Sequence, residues 1–552
     1  MCGLGGVVGE YDPSRVKRLM DIMGESLSTR GPDGVSSLFS SELGFGLIHS
    51  RLAINDLSDA SKQPLVSQSM RYCIVFNGEI YNFRELRKHE SIRSYRFKST
   101  GDSEVLLALI ERVGLETALN LIKGMFAFAV FDKMERRLTL ARDIVGEKPL
   151  CYNLDKGKLI FGSEIRSVVK ALGIMPEINR SALANFVGYG FLTNNSSIFE
   201  SIVKIEPGTY VEFVDDKGNW RKDKLVRYWR MPTSEFQGSY EEAKHCVKSV
   251  LVNSVALQCS ADVNVGCFLS GGVDSSLMAS IGSSIGLNLP TFSVGFNEGP
   301  YDESRLAGSI SRHLGLEHNV IVLNSSNVLD FIQRSVSVYD EPFADISQIP
   351  TFLLSNFASR DIKVAITGDG GDEVFSGYNR HISAHMYQNL PKLYRLMASV
   401  VFGNGRASRL VEWIGSGVGR NILPRDFGLK FSKIASFFES NKSVNQVYKR
   451  LVGHDLDLSL LQDFRYPVYL EESLKKNTLS DQIRLLDFHN YLVDDVLCKV
   501  DRASMANGIE ARAPFLDKDV IELGFSLPQE YRFNGKLGKR ILRDILSEML
   551  PK

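Results

Sequence analysis

A cysteine stands directly behind the initiator methionine in MCGLGGVVGEY. Removal of Met1 would leave Cys2 with a thiol and a free α-amino group on one carbon, a nucleophile and a base within a single residue. A free thiol titrates near ~8.5 and an α-amino group near ~8, so the amine can take the thiol proton without a separate histidine. An incidental small residue at a frayed terminus would read the same over these few letters. The second signal is SGGVDSS at 270–276, a glycine-rich turn between an apolar strand and a helix. There, backbone N–H groups and a helix N-terminus converge on an anion. The turn lacks the lysine of a Walker A loop, which disfavours a simple P-loop kinase or ATPase. Asp and Ser are also ordinary helix caps, but so full a match between strand and helix favours a phosphate cradle. A third stretch, TGDGGDE at 367–373, also follows a predicted strand. Asp274 and Asp372 could hold Mg2+ against the phosphates, because a hard cation prefers carboxylate oxygens. A thiol together with His49 suggests a papain-like dyad, but this histidine lies in an apolar strand and reads as a core residue with no chemistry.

The elements that must position these residues are of two kinds. Up to about residue 210 the chain alternates short apolar runs (GLGGVVG, GFGLIHSRLAI, YCIVFNGEI, GMFAFAVFD, RLTLARD, KLIFGSE) with Gly, Asn and Asp. This predicts an α+β domain of stacked antiparallel sheets, with helices over DSEVLLALIERVG and Val16 to Leu27. Residues 211–240 are polar and turn-rich and read as a linker. From 241 to 552 strands alternate with helices: VGCFL, FSVGF, NVIVL and KVAIT are the strands. That pattern predicts a parallel sheet with ligands at the carboxyl ends of its strands, closed off by a mostly helical segment beyond Gly377.

The chain of 552 residues balances 65 basic against 65 acidic residues, so it carries neither a nucleic-acid footprint nor an acidic tail. No leader-like segment follows Met1, and runs such as MFAFAVF are too short to span a bilayer, which predicts a cytoplasmic protein without membrane contact. Seven cysteines at scattered positions, none in a CxxC pair, argue against a disulfide framework or a zinc site and suggest mostly buried thiols.

Taken in order, MCGLGG, RGPDG (30–34), HSRLAI (49–54), FNGEIYN (76–82), TGDSEV (100–105), GMFAFAVFD (124–132), ARDIVGEKPL (141–150), LSGGVDSS (269–276), YDEPFAD (339–345), TGDGGDEVFSGY (367–378) and KVDRASMANGIEARAPFLD (499–517) resemble the glutamine-hydrolysing asparagine synthetases of the bacterial B type, a family of class II glutamine amidotransferases. The resemblance implies an N-terminal-nucleophile hydrolase domain of αββα layers, with Cys2 attacking the glutamine side-chain amide. It implies Asn77 and the Gly78 N–H as oxyanion donors. Arg51, Ile54, Glu79 and Asp102 would bind glutamine, Arg51 at its carboxylate and the two acids at its α-ammonium. For the second domain it implies an ATP-pyrophosphatase fold in which a carboxylate is adenylated by MgATP and then amidated by ammonia from the first domain. Ser270, Gly271, Gly272 and Ser275 would cradle pyrophosphate, and Leu269, Val294, Thr367 and Gly368 would line the adenine and ribose pocket. Lys499 would neutralise phosphate charge, and Asp369, where many members have Glu, would act on the incoming ammonia. A water-poor passage between domains and a homodimer are also implied. The acceptor is L-aspartate or, by the wording of YDEPFADISQIPT, a sugar uronate of surface-polysaccharide synthesis. A catalytically idle homologue, a bare glutaminase and a β-lactam-forming relative are opposed by the intact Cys2 and the second nucleotide site. Many bacterial relatives carry a helical segment beyond the position of ILRDILSEMLPK, which implies a shorter covering of the synthetase site here.

Overall fold

The computed structural model describes residues 2–193, 196–296, 302–323, 325–391, 393–394, 443–454 and 478–551. Much of the helical segment expected beyond Gly377 falls on 395–442 and 455–477, outside the described residues.

The first domain is built from two antiparallel sheets of six strands each. Its strands are β1 (Gly3–Val8), β2 (Gly34–Ser40), β3 (Phe45–Arg51), β4 (Leu65–Val66), β5 (Tyr72–Ile80), β6 (Gly124–Asp132), β7 (Arg137–Arg142), β8 (Cys151–Asp155), β9 (Lys158–Gly162), β10 (Val203–Lys204), β11 (Thr209–Asp216) and β12 (Asn219–Arg227). The orders are β10-β8-β9-β1-β3-β2 and β12-β11-β7-β6-β5-β4. Side chains alternate across a strand, and the inward set from both sheets, including Leu4, Val8, Leu47, Val75, Ala129, Leu140 and Phe161, forms one core. The outward set of the first sheet (Val7, Ile48, Ile160) packs on helices Pro13–Leu27 and Ile165–Leu172. That of the second (Ile74, Phe76, Phe128) packs on helices Asp102–Val113 and Leu115–Leu121. These are the αββα layers expected.

The expected linker over 211–240 is corrected by this topology. Strand β11 pairs with β7, and β12 pairs with β11, so residues 209–227 close the second sheet as an edge hairpin. The polar texture is that of an exposed edge strand: in Asn219–Arg227 only Trp220 is buried, where it packs against Phe131. A charged edge also discourages pairing with another chain.

Helix Tyr240–Gln258, opened by a reciprocal capping box of Ser239 and Glu242, leads into a parallel sheet of β13 (Val265–Phe268), β14 (Thr291–Phe296), β15 (His318–Leu323), β16 (Val364–Ile366) and β17 (Glu510–Arg512). Its order is β15-β14-β13-β16-β17. The chain moves outward from β13 to one edge and then returns to β16 on the other side, so the topological switch point, where open α/β sheets bind ligands, falls between β13 and β16. Helices Tyr240–Gln258, Val273–Ser284 and Arg540–Ser547 cover one face and Gln348–Ala358 the other. Helices Asn379–Asn389, Val444–Val452 and Leu479–Leu486 form a separate packed group. Helix Leu479–Leu486 continues through a π-helical stretch, Asp487–Val496, into helix Leu497–Met505. None of the seven cysteines is in a disulfide; Cys73, Cys151 and Cys267 are buried and the other four half-buried. No helix among the described residues is long and apolar enough to cross a membrane.

The two domains are joined by buried charge. Arg30, 1 % exposed, forks both terminal nitrogens onto Asp501 of helix Leu497–Met505 at 2.8 and 3.0 Å, and its Nε donates to the Cys2 carbonyl at 3.2 Å. The Asp501 carboxyl is held far below its usual range because Arg30, with Arg502 and Lys148, outweighs the effect of burial. Asp340 and Glu341 of the YDEPFAD stretch accept backbone N–H groups of the first domain, from Ile165 at 2.6 Å and Ile198 at 2.8 Å. Removing one member of a buried pair strands the other charge, so Asp501→Ala is expected to cost about 3–5 kcal/mol. The check is the denaturation midpoint of the full chain; a loss under about 1 kcal/mol, the worth of a surface pair, would contradict the assignment.

Candidate active sites

The first site lies at one end of the two sheets of the first domain. Cys2 precedes β1, Arg51 ends β3, and Asn77, Gly78 and Glu79 lie near the end of β5. Cys2, Arg51, Gly78 and Glu79 line one pocket with Ile54 and Asp102; Asn77 is not among the lining residues and meets the site through the Cys2 backbone. The Cys2 N–H donates to Asn77 Oδ1 at 2.9 Å, which turns the amide so that Nδ2 is buried with no partner. A fully buried donor left unsatisfied beside a nucleophile is a preorganised place for developing negative charge. Gly78 has φ +150°, and a Cβ there would fall 2.1 Å from the Met125 carbonyl oxygen. Glycine is therefore required for β5 to pass β6 beside the thiol. Burial pushes the Cys2 thiol up, against the pull of the positive chain terminus and a contact to the Leu52 carbonyl at 3.8 Å, so the thiol keeps its proton until a base takes it.

The Arg51 guanidinium is held by the carbonyls of Asp56 and Ser58 and by Ser61 Oγ, which fixes its direction along the pocket. Opposite lie two carboxyls. Burial, then repulsion from Asp102, raises Glu79 well above the usual range. Asp102 is pushed up to about 6, chiefly by burial, although it accepts the Ile80 and Ser103 N–H groups at 2.9 and 2.7 Å. Two crowded carboxyls without a full complement of cations suit an incoming ammonium. His49 is a core residue as expected. Its Nε2 bonds to the Phe76 carbonyl at 3.1 Å, and burial lowers its pKa to about 3, so the ring is neutral. Among the lining residues that the sequence reading did not single out are one that touches a pocket carboxyl and one that comes from the other domain. Asn55 donates to Glu79, and Glu510 reaches the pocket from the second domain.

The second site occupies the switch point between β13 and β16. Leu269, buried, takes the Phe292 carbonyl at 2.9 Å, and Val294, Thr367 and Gly368 lie at the ends of β14 and β16. Helix Val273–Ser284 is capped by Gly272 with no side-chain bond, so its first N–H groups stay available and the loop is not merely an Asp or Ser cap. Inside the loop the Ser270 N–H donates to Ser275 Oγ at 3.1 Å and the Gly272 N–H to Ser270 Oγ at 3.2 Å. The loop after β16 is pressed against it. A Cβ on Gly368 would meet the Ser275 nitrogen at 2.9 Å, and one on Gly371 would meet Asp274 Cγ at 2.5 Å.

Asp274 and Asp372 are brought together as expected, but around a cation the sequence reading did not single out. Lys539 Nζ bonds Asp274 Oδ2 at 2.5 Å and Asp372 Oδ1 at 2.6 Å. Burial disfavours that ammonium, yet the two carboxylates raise its pKa overall. Burial pushes Asp274 up to about 6 against the attraction of Lys539, and its Oδ1 is buried without a partner. Among the described residues no group of three or more His, Cys, Asp or Glu is arranged to hold a metal. The only forewarning of Lys539 was a lysine in GKLGKR just ahead of a helix.

Lys499, referred to the phosphates by the resemblance, meets other partners in this structure. Its Nζ bonds Asp345 Oδ2 at 3.0 Å and Ser347 Oγ at 2.8 Å, because helix Leu497–Met505 directs it to the loop following YDEPF rather than to the cradle. The cation on the cradle carboxylates is Lys539. Asp369 lies within the electrostatic reach of Lys499, whose attraction opposes the upward push of burial. Asp495, one turn before Lys499, is pushed up to about 7 by burial and by Asp345, and its Oδ1 is buried without a partner.

Two outcomes follow for the first site. Asn77→Ala is expected to lower kcat for glutamine hydrolysis by about 10²–10³, roughly 3–4 kcal/mol, while ammonia-dependent turnover at the second site is retained; a loss under about threefold would rule out the oxyanion role. Because Asp102 is protonated below its raised pKa of about 6, the attraction for an ammonium falls as pH drops. A profile of kcat/KM for glutamine should therefore decline by about tenfold per unit on its acid side, and the acid limb should move in Asp102→Asn.

Comparison with known proteins agrees with this arrangement. The profile of the asparagine synthase family matches residues 246–552, and that of the glutamine amidotransferase domain matches residues 1–229. Asparagine synthetase [glutamine-hydrolyzing] 1 of Bacillus subtilis is 30 % identical over 562 aligned residues, covering 100 % of this chain and 85 % of its own. The putative asparagine synthetase [glutamine-hydrolyzing] 2 of Methanocaldococcus jannaschii is 30 % identical, with 92 % of this chain and 98 % of its own length covered. With a pocket around Cys2 in the first domain and a glycine-rich loop at the switch point of the parallel sheet in the second, the chain belongs to the asparagine synthase family of glutamine-dependent amidotransferases.

Proposed function

We propose that this amidotransferase converts L-aspartate to L-asparagine. With Met1 removed, the Cys2 amine takes the thiol proton and the sulfur attacks the glutamine side-chain carbonyl. Asn77 Nδ2 and the Gly78 N–H receive the oxyanion, Arg51 the glutamine carboxylate, with Ile54 beside it, and Glu79 with Asp102 the α-ammonium. Collapse of the intermediate breaks the C–N bond, the amine returns its proton to the departing nitrogen, ammonia leaves, and water hydrolyses the thioester to glutamate. At the second site an acceptor carboxylate oxygen attacks the α-phosphorus of ATP and pyrophosphate leaves, received by the 270–276 loop and Lys539. Ammonia then attacks the acyl carbon, Asp369 takes its proton and AMP departs. Asp274 and Asp372 are the residues that would hold Mg2+, which supplies positive charge against the phosphates; the spare buried oxygen of Asp274 suits a hard cation.

The observation that carries the acceptor assignment is the charge pattern beside Asp369. Lys499 offers an ammonium to a carboxylate, while Asp345 and the unpartnered oxygen of Asp495 offer acceptors to an α-ammonium. L-Aspartate brings both charges, whereas a sugar uronate brings only the carboxylate.

The test is pyrophosphate release with MgATP and glutamine, comparing L-aspartate, a hexuronate and no acceptor. Aspartate-dependent release with asparagine appearing in step is the expected outcome; release driven by the uronate instead would move the assignment to that acceptor. Cys2→Ala should abolish glutamine-dependent but not ammonia-dependent synthesis. Lys539→Ala should lower both by about 10² or more and leave glutaminase activity.

A further inference from the structure

Strand β17 is only three residues long, and it touches both sites. Its register sets Glu510 opposite Val364 and Arg512 opposite Ile366, so the two side chains share one face of the strand, the face toward the glutamine pocket. Glu510 lines that pocket. The Arg512 backbone serves the other site: its carbonyl accepts the Thr367 N–H at 2.9 Å, and Thr367 opens the loop that carries Asp369 and Asp372.

The Arg512 guanidinium is fully buried. Nε donates to Glu510 Oε1 at 2.7 Å, and Nη1 donates to the carbonyls of Gln258 and Ser260 at 2.7 and 3.0 Å. Among the described residues Nη2 alone finds no hydrogen-bond partner. It points at Glu79 Oε2 across 3.5 Å, within ionic range yet too loose for a good charge-assisted bond. A buried donor left open toward one particular carboxylate is costly unless something closes the gap. Glu79 faces Asp102, Glu510 and Arg512, and its carboxyl is pushed toward the protonated form by burial and by Asp102. An ammonium arriving in the pocket favours the carboxylate, and the carboxylate favours a shorter contact to Nη2.

We propose that Arg512 is a positioning residue that couples the two sites: a glutamine ammonium at Glu79 draws Arg512 Nη2 inward, and the Arg512 carbonyl carries the change to Thr367 and the nucleotide loop. From Thr367 the path continues through Gly368, which is packed so closely on Ser275 and Asp274 that a Cβ would collide with them. Close packing of this kind passes on a displacement instead of absorbing it. The coupling rests on the glutamine and nucleotide sites proposed above, and being a binding linkage it must act equally in both directions.

The experiment uses the full-length Cys2→Ala protein, which binds glutamine without turning it over. L-Glutamine is titrated calorimetrically with and without the Mg2+ complex of α,β-methylene-ATP. The nucleotide is expected to tighten glutamine binding on the order of tenfold, with the reciprocal factor in the reverse titration. In Cys2→Ala/Arg512→Lys that factor should shrink to under about twofold while the affinity for each ligand stays measurable, a result that a merely structural arginine would not produce. Retention of the parent factor in the lysine variant, or a factor near one in the parent, overturns the proposal. Should the lysine variant lose nucleotide binding altogether, Glu79→Gln in the Cys2→Ala background decides. It removes the charge facing Nη2 at constant shape, and since the ratio of affinities is read, a uniform loss of glutamine affinity does not matter; a surviving factor overturns the proposal. A parent that binds neither ligand refutes the reading of the two sites, whereas normal binding with an unaltered factor refutes the coupling alone.

Discussion

A guanidinium with 1 % of its surface exposed is the constraint on which the arrangement of the two domains depends. Arg30 belongs to the first domain and has Glu164 of that domain 3.6 Å away, yet the carboxylate that takes both its terminal nitrogens in hydrogen bonds belongs to the second. An isolated charge moved out of water is too costly to persist, so neither domain presents its native surface there without the other. The same arginine reaches the Cys2 carbonyl, and Asp501 stands two residues from Lys499. The nucleophile of one site and a cation beside the other are therefore placed by a single ion pair.

Similar logic governs the other buried charges. Glu79 and Glu510 come from different domains and face one guanidinium, that of Arg512. Asp274 and Asp372 come from the first turns of different helices and share one ammonium, that of Lys539. Each group is tolerable only in its set, which makes these clusters markers of relative position rather than of stability. Where charges do not set the spacing, glycines do. Gly78 lets β5 approach β6, and Gly368 and Gly371 let one loop lie against its neighbour at distances that exclude any side chain.

Much of this was legible in the chain because each chemical step needs residue types that stand out. The lysine-free SGGVDSS turn between a strand and a helix pointed to its loop from the residues themselves, whereas Cys2, Asn77 and Gly78 were referred to one site by the order of the motifs, and the sheets bring those three together. What was not legible depends on distant contacts. Lys539 lies 265 residues from Asp274, and no spacing rule links GKLGKR to the earlier loop. Glu510 enters a pocket of the other domain because β17 pairs beside β16, which no local pattern reveals. Lys499 was referred to the phosphates by its motif, whereas the direction of its helix takes it to Asp345. The hairpin at 209–227 was misread because an edge strand shows water a polar face, and polarity without its partner strand resembles a linker.

The π-helical stretch Asp487–Val496 gives this enzyme a phase problem that it solves by widening a helix. At its start Asp487 gathers Arg380, His381 and Tyr448; past its end Lys499 and Asp501 meet Asp345 and Arg30. Both sets of contacts lie on one continuous rod, and each residue of an α-helix turns the rod by about 100°. Widened turns take more residues per turn than an α-helix, so the side chains beyond them hold an angular position that the same number of α-helical residues would not give. The stretch thus acts as a spacer in angle, keeping two anchored ends in register where regular winding could satisfy only one.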